Sequence, residues 1–153
     1  MRRPLVPFAV AGVAACATAL LPHTASAAAL PAVQIVKVYY DSPGADLRSN
    51  ASLNGEYVTI RNTTRQTIAL AGWSIRDRTG YRYTLGEGIA LGPGRTLTLR
   101  TGQGRDGTST LYWGRRAYVW NNDRDAAYLR RADGRLVDSC SYNSTRADYV
   151  NCA

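Results

Sequence analysis

The run Gly55-Glu56-Tyr57-Val58-Thr59-Ile60-Arg61-Asn62 decides how the rest of the chain is read. Side chains along an extended strand point alternately to opposite faces. Val58 and Ile60 therefore share one side, while Tyr57, Thr59 and Arg61 share the other. Such a strand has one dry face and one wet face. The same pattern recurs further along. Leu97 and Leu99 alternate with Thr96, Thr98 and Arg100, and Trp73 and Ile75 alternate with Ser74 and Arg76. Tyr81, Tyr83 and Leu85 alternate with Arg82 and Thr84. Two sheets packed dry face to dry face satisfy this arrangement best.

The extended runs are 33–40, 56–62, 67–70, 73–76, 81–85, 95–101, 117–120, 126–131 and 135–139. They are separated by clusters of Gly, Asn, Asp and Pro, which predicts an all-β chain of about 8–9 short strands. Arg78-Thr79-Gly80, Leu91-Gly92-Pro93-Gly94 and Ala132-Asp133-Gly134 supply turns in which glycine is free to take positive φ. No stretch carries a helical period.

The opening residues read differently. Arg2 and Arg3 precede an almost unbroken apolar run from Leu5 to Leu21, and Ala25-Ser26-Ala27 offers a small-residue cleavage site. An export signal over residues 1–27 is expected, with a short leader over 28–32, a sandwich over 33–142 and a tail over 143–153. That places the chain outside the cell after cleavage near Ala27. Val13-Ala14-Ala15-Cys16 offers a second reading, a lipobox with Cys16 as the lipidated N-terminus. Against it, the apolar run continues past Cys16. After Ala28 no apolar run approaches the roughly 20 residues needed to cross a bilayer. Removing the signal leaves Cys140 and Cys152 as an even pair in an oxidising compartment, and they are expected to be bonded.

Charge is unusual in kind. Lys37 is the one lysine among 19 basic residues, and Glu56 and Glu87 are the two glutamates among 11 acidic ones. Without Arg2 and Arg3 the net charge of +8 becomes +6. A positive balance allows attraction to nucleic acid or anionic wall polymers without requiring either. The Arg- and Ala-rich usage points to a GC-rich, actinobacterial source.

Beyond single strands, Gly55 to Asn62, Leu70-Ala71-Gly72-Trp73-Ser74-Ile75-Arg76-Asp77, and Leu91-Gly92-Pro93-Gly94 before Leu97-Thr98-Leu99 together resemble the lamin tail domain. So do Val119-Trp120-Asn121-Asn122-Asp123, Asp125-Ala126-Ala127-Tyr128-Leu129 and Leu136-Val137-Asp138-Ser139. The likeness runs from about Val33 to Tyr142, and the ordered set is more specific than any one motif. It implies an immunoglobulin-like sandwich that acts as a binding or tethering module. Bacterial versions often accompany secreted nucleases, phosphatases or surface proteins; no catalytic companion is expected here. Secreted relatives also carry added cysteines such as Cys140 and Cys152.

Catalysis is not expected. The single histidine, His23, falls in the signal, which removes Ser-His, Cys-His and His-ligated metal chemistry from the rest. Glu56 sits at a strand start and Glu87 in a Gly-flanked turn, a poor pair for glycoside hydrolysis. Asn121, Asp123 and Asp125 could offer oxygens to calcium, but Arg124 intervenes, and capping of a polar hairpin end is the simpler reading. No cofactor is expected. Val58, Ile60, Trp73, Ile75, Leu97, Leu99, Trp120 and Leu129 are assigned to the core. Trp113, beside Arg115 and Arg116, is either an exposed aromatic suited to stacking on a base or sugar or a half-buried plug. Arg61, Arg76, Arg82 and Arg100 form a stripe if their strands share a sheet; otherwise they are solubilising charge. The Asn-x-Ser/Thr matches at Asn50, Asn62 and Asn143 carry little weight. The expected function is a secreted binding or tethering module whose ligand the sequence leaves open. The alternative is binding of nucleic acid or another anionic polymer through arginine, and a carboxylate hydrolase ranks below both. A protein or anionic polymer at the cell surface is the expected kind of partner, and the oligomeric state is left open.

Overall fold

The computed structural model describes residues 29–153. The expected signal over 1–27, its Ala25-Ser26-Ala27 site, Cys16 and His23 lie outside the described residues.

The Gly55–Asn62 run forms β2 (Tyr57–Asn62), and it pairs with β1 (Val33–Tyr39) on one side and β7 (Thr96–Arg100) on the other. β11 (Tyr149–Asn151) flanks β1, and β8 (Thr110–Tyr112) runs parallel to β7, completing a five-stranded sheet in the order β11-β1-β2-β7-β8. The second sheet has the order β10-β9-β4-β5. Its strands are β4 (Ser74–Arg76), β5 (Arg82–Thr84), β9 (Arg124–Arg130) and β10 (Leu136–Asn143). A two-stranded ribbon of β3 (Ile68–Ala69) and β6 (Ala90–Leu91) stands apart.

The dry faces meet in one core. Val58, Ile60, Ile75, Leu97, Leu99, Trp120 and Leu129 are buried, with Trp73 at its margin. In β1 a bulge between Ile35 and Lys37 resets the alternation, so that Ile35 and Val38 both face inward while Lys37 and Tyr39 face out. Gly72 takes φ +74° before Trp73, and a Cβ there would meet the Ala132 side chain at 2.9 Å. Asn62 ends β2 with its side chain inside. Its Oδ1 accepts from Thr64 N at 2.9 Å, and its Nδ2 donates to Gln66 O and Leu91 O, both at 2.7 Å. Among the described residues no helix is long and apolar enough to cross a membrane.

Among the described residues there are 11 strands, nine of them in the two sheets of the sandwich as expected and two in the separate ribbon. β6, β8 and β11 are two or three residues long, too short for alternation to show. A single helical turn, α1 (Asn50–Leu53), was likewise too short for a period, and the Ser49 side chain caps it by accepting from Ser52 N at 3.1 Å. Residues 117–120 form no strand, because the Val119 N–H donates to the Glu56 carboxylate at 3.1 Å rather than to a neighbouring backbone. It follows that 121–125 is no hairpin end: 121–123 form a loop leading into β9, and Arg124 and Asp125 open the strand. The segment expected as a tail contributes β11 to the first sheet.

Cys140 and Cys152 are bonded, with their Cα atoms 5.7 Å apart. Cys140 lies in β10 of the second sheet, and Cys152 follows β11 of the first, where its N–H donates to Val36 O at 3.0 Å. The bond therefore staples one sheet to the other and closes a loop spanning a separation of 12 residues. The Cys140→Ser/Cys152→Ser variant is expected to lose about 3 kcal/mol in urea unfolding. Its amide exchange should accelerate first at residues 149–151. Unchanged stability would show that the staple contributes nothing.

Candidate binding surface

Three of the 11 carboxylates, Glu56, Asp77 and Asp125, are wholly buried, and each organises backbone. Asp77 follows β4, and its Oδ1 accepts from Gly80 N and Tyr81 N, both at 2.7 Å, while the Thr79 hydroxyl donates to Oδ2. These bonds close the turn between β4 and β5. Asp125 fixes that turn to the loop before β9. Its Oδ1 accepts from Arg78 N at 3.1 Å and Ala126 N at 2.8 Å, and its Oδ2 accepts from Asn121 Nδ2 at 2.9 Å. The oxygens of Asp125 are thus turned toward protein donors, as capping requires. Asp123 Oδ1 accepts from Arg124 N at 2.8 Å. Among the described residues no group of three His, Cys, Asp or Glu is placed to hold a metal ion.

Arginine is left outside. Among the described residues one ion pair lies within 4.0 Å, between exposed Arg124 and Asp123. On the outer face of the second sheet Arg76 stands directly opposite Arg82, a like-charge pair that costs stability. The Nε of Arg76 is buried without a hydrogen-bonding partner. Arg78 follows in the turn. Arg115 joins this group from elsewhere in the chain, its guanidinium lying 4.1 Å from the centroid of the Tyr81 ring. It is held there by backbone bonds from Trp113 N to Arg100 O at 2.8 Å and from Arg115 N to Thr101 O at 2.9 Å. Arg116, exposed, comes next.

Two groups that the sequence kept apart are brought to one hairpin: Arg76 pairs with Arg82, and Arg115 reaches Tyr81, the residue next to Arg82. A single four-arginine stripe does not form. Arg61 and Arg100 lie on the other sheet, opposite Thr96 and Tyr57 respectively, at opposite ends of the β2–β7 pair. Trp113 is half-buried and meets Tyr83 and Trp120 edge-on, with centroids at 5.9 and 6.3 Å. It is the plug of the two readings, not the exposed aromatic. That role falls to Tyr81, which is 43% exposed. Alternation had put Tyr81 on the dry face, but it lies one residue outside β5, beyond the edge of the core.

Glu56 is the chemically distinctive acid. Burial pushes its pKa up to about 8, against the opposing pull of the Val119 N–H. Its Oε1 and the Thr101 Oγ1 are both buried without partners. A protonated carboxyl suits this place, because a neutral group avoids the cost of an unpaired buried charge.

An all-β sandwich with a shared dry core and an arginine-bearing edge has the form of a binding or structural module. The lamin tail domain family model matches residues 26–144, and the chain belongs to that family, whose members are immunoglobulin-like structural or binding domains and generally non-catalytic. No curated protein matches the chain.

Folded Glu56 holds its proton more tightly than the unfolded chain does. Its contribution is therefore most favourable below the ordinary pKa of 4.5 and is lost as pH rises through about 8. The loss across that window is on the order of 4 kcal/mol. In Glu56→Gln the amide can donate to Thr101 Oγ1, and the fall in urea midpoint between pH 5 and pH 9 should largely disappear. Parallel profiles for the two proteins would rule out this proton as the source.

Proposed function

We propose that the chain is an exported, non-catalytic tethering module that holds anionic polymers through the arginine edge formed by β4, β5 and residues 113–116. One observation carries the reading. Arg76 and Arg82 stand side by side and Arg115 lies on the ring of Tyr81, the residue next to Arg82, while Asp77, the acid beside them in sequence, has its oxygens engaged by the turn it builds. Guanidinium groups without carboxylate partners are suited to bidentate contacts with phosphate or carboxylate. Tyr81 adds an aromatic surface beside them.

Support for a non-catalytic role comes from what residues 29–153 contain. They have no histidine, their two cysteines are bonded, and Glu56, Asp77 and Asp125 serve the fold. Export rests on the apolar run 5–21 and the small-residue site after it, and the disulfide agrees with an oxidising destination.

Fluorescent oligothymidylate and linear polyphosphate are suitable probes. The logarithm of affinity should fall linearly with the logarithm of salt concentration. Arg76→Gln, Arg82→Gln and Arg115→Gln should each reduce the oligothymidylate slope by about 0.7, while Arg65→Gln, away from the edge, leaves it alone. A salt-independent response, or no binding at low salt, would refute the reading.

A further inference from the structure

The outer face of the first sheet carries a different chemistry. Strand register sets Tyr149, Tyr39, Tyr57 and Arg100 in one row across β11, β1, β2 and β7. Adjacent tyrosine rings are stacked, with Tyr149 to Tyr39 at 5.6 Å and 21°, and Tyr39 to Tyr57 at 5.2 Å and 24°. These centroid separations are those of offset-stacked rings, and Tyr149 is exposed while Tyr39 and Tyr57 are half-buried. Lys37 Nζ sits 4.1 Å from the Tyr149 centroid, and the Arg100 guanidinium sits 5.4 Å from that of Tyr57. Neither cation has a carboxylate within 4.0 Å. Beside the aromatic row runs a polar one containing Lys37, Thr59 and Thr98, with the two threonine hydroxyls 3.1 Å apart.

We propose that this face is a second binding site, for an acidic polysaccharide of the uronic-acid class. The apolar C–H face of a pyranose ring packs on an electron-rich aromatic ring, and the register of β11, β1 and β2 sets three tyrosines in succession along one row. The threonine row meets sugar hydroxyls. Lys37 and Arg100 select the acid, since a carboxylate at the sugar rim completes charges that the protein leaves unpaired. Asp148 accepts from the Tyr39 hydroxyl at 3.5 Å on the opposite rim, which directs the polymer to the Lys37 and Thr59 side. The site lies on the sheet opposite the arginine edge and does not depend on it.

Polygalacturonate and its fully methyl-esterified counterpart form the test, measured by affinity electrophoresis on the full exported chain. Polygalacturonate should bind, and the ester should bind about tenfold more weakly. Tyr149→Ala, at an exposed position, and Lys37→Gln should each weaken binding about tenfold without changing the urea midpoint, and should do so equally in the Arg76→Gln/Arg82→Gln/Arg115→Gln background, where the arginine edge no longer competes for the polymer. No binding, equal binding of the ester, or a loss in Arg82→Gln without one in Tyr149→Ala would overturn the proposal. The last result would assign the polymer to the arginine edge by charge alone. Failure of the oligothymidylate probe with success here would overturn the first reading and keep this one.

Discussion

The structure depends on Val58, Ile60, Leu97 and Leu99 of one sheet sharing a dry interior with Ile75, Ala127 and Leu129 of the other. Burying a side chain of this size is worth about 1.5–3 kcal/mol. That constraint governs more than stability, because a one-residue slip in register would send every one of these side chains to solvent. Once register is held by the core, the outward residues have no freedom either. Arg76 must face Arg82, and Tyr39 must stand between Tyr149 and Tyr57. The outer surfaces are consequences of the interior, and their composition is where function has room to enter.

Charge is partitioned by the same logic. Asp77 and Asp125 are tolerated inside because backbone N–H groups satisfy them, and in return they shape the β4–β5 turn and secure it to the loop before β9. Asp138 does similar work across the sandwich, accepting from Ile35 N at 2.7 Å. Glu56 meets the cost of burial by another route and keeps its proton. Every carboxylate drawn inward in this way leaves the surface more basic than the net charge implies. Arginine suits that surface better than lysine would, because it can stack on tyrosine while its edge still offers donors to a ligand.

Much of the fold was legible in alternation, since β2, β4 and β7 each carry their dry face in plain view, and the ordered motifs named the family. Legibility failed where pairing is not a property of the strand itself. β8 and β11 are extended because β7 and β1 hold them, and 117–120 looked like a strand because apolar residues gather there to meet Glu56 and the core. The candidate surface was half legible. Arg76 and Arg82 could be paired from the short turn between them, but the contact of Arg115 with Tyr81 depends on the backbone bonds that tie 113–115 to residues 100–102. No local pattern announces such a contact. The tyrosine row was missed for the same reason, its members being spread over residues 39, 57 and 149.

The disulfide takes on a further meaning when the two outer faces are considered together. Cys140 belongs to the sheet that carries the arginine edge, and Cys152 follows the strand that carries Tyr149. A pull applied between ligands on the two faces is a pull between the two sheets, which are otherwise held by non-directional packing and by bonds such as that from Ile35 N to Asp138. Dry packing resists shear poorly once water enters, whereas a covalent link between the sheets transmits load without relying on burial. A module with the two proposed sites also gains from rigidity. With one polymer engaged, the other face is held at a fixed distance and orientation, which raises the effective concentration of the second ligand. A sandwich stapled across its layers is therefore better suited to bridging than an unstapled one of equal core, because the bond links the two layers that tethering would pull against each other.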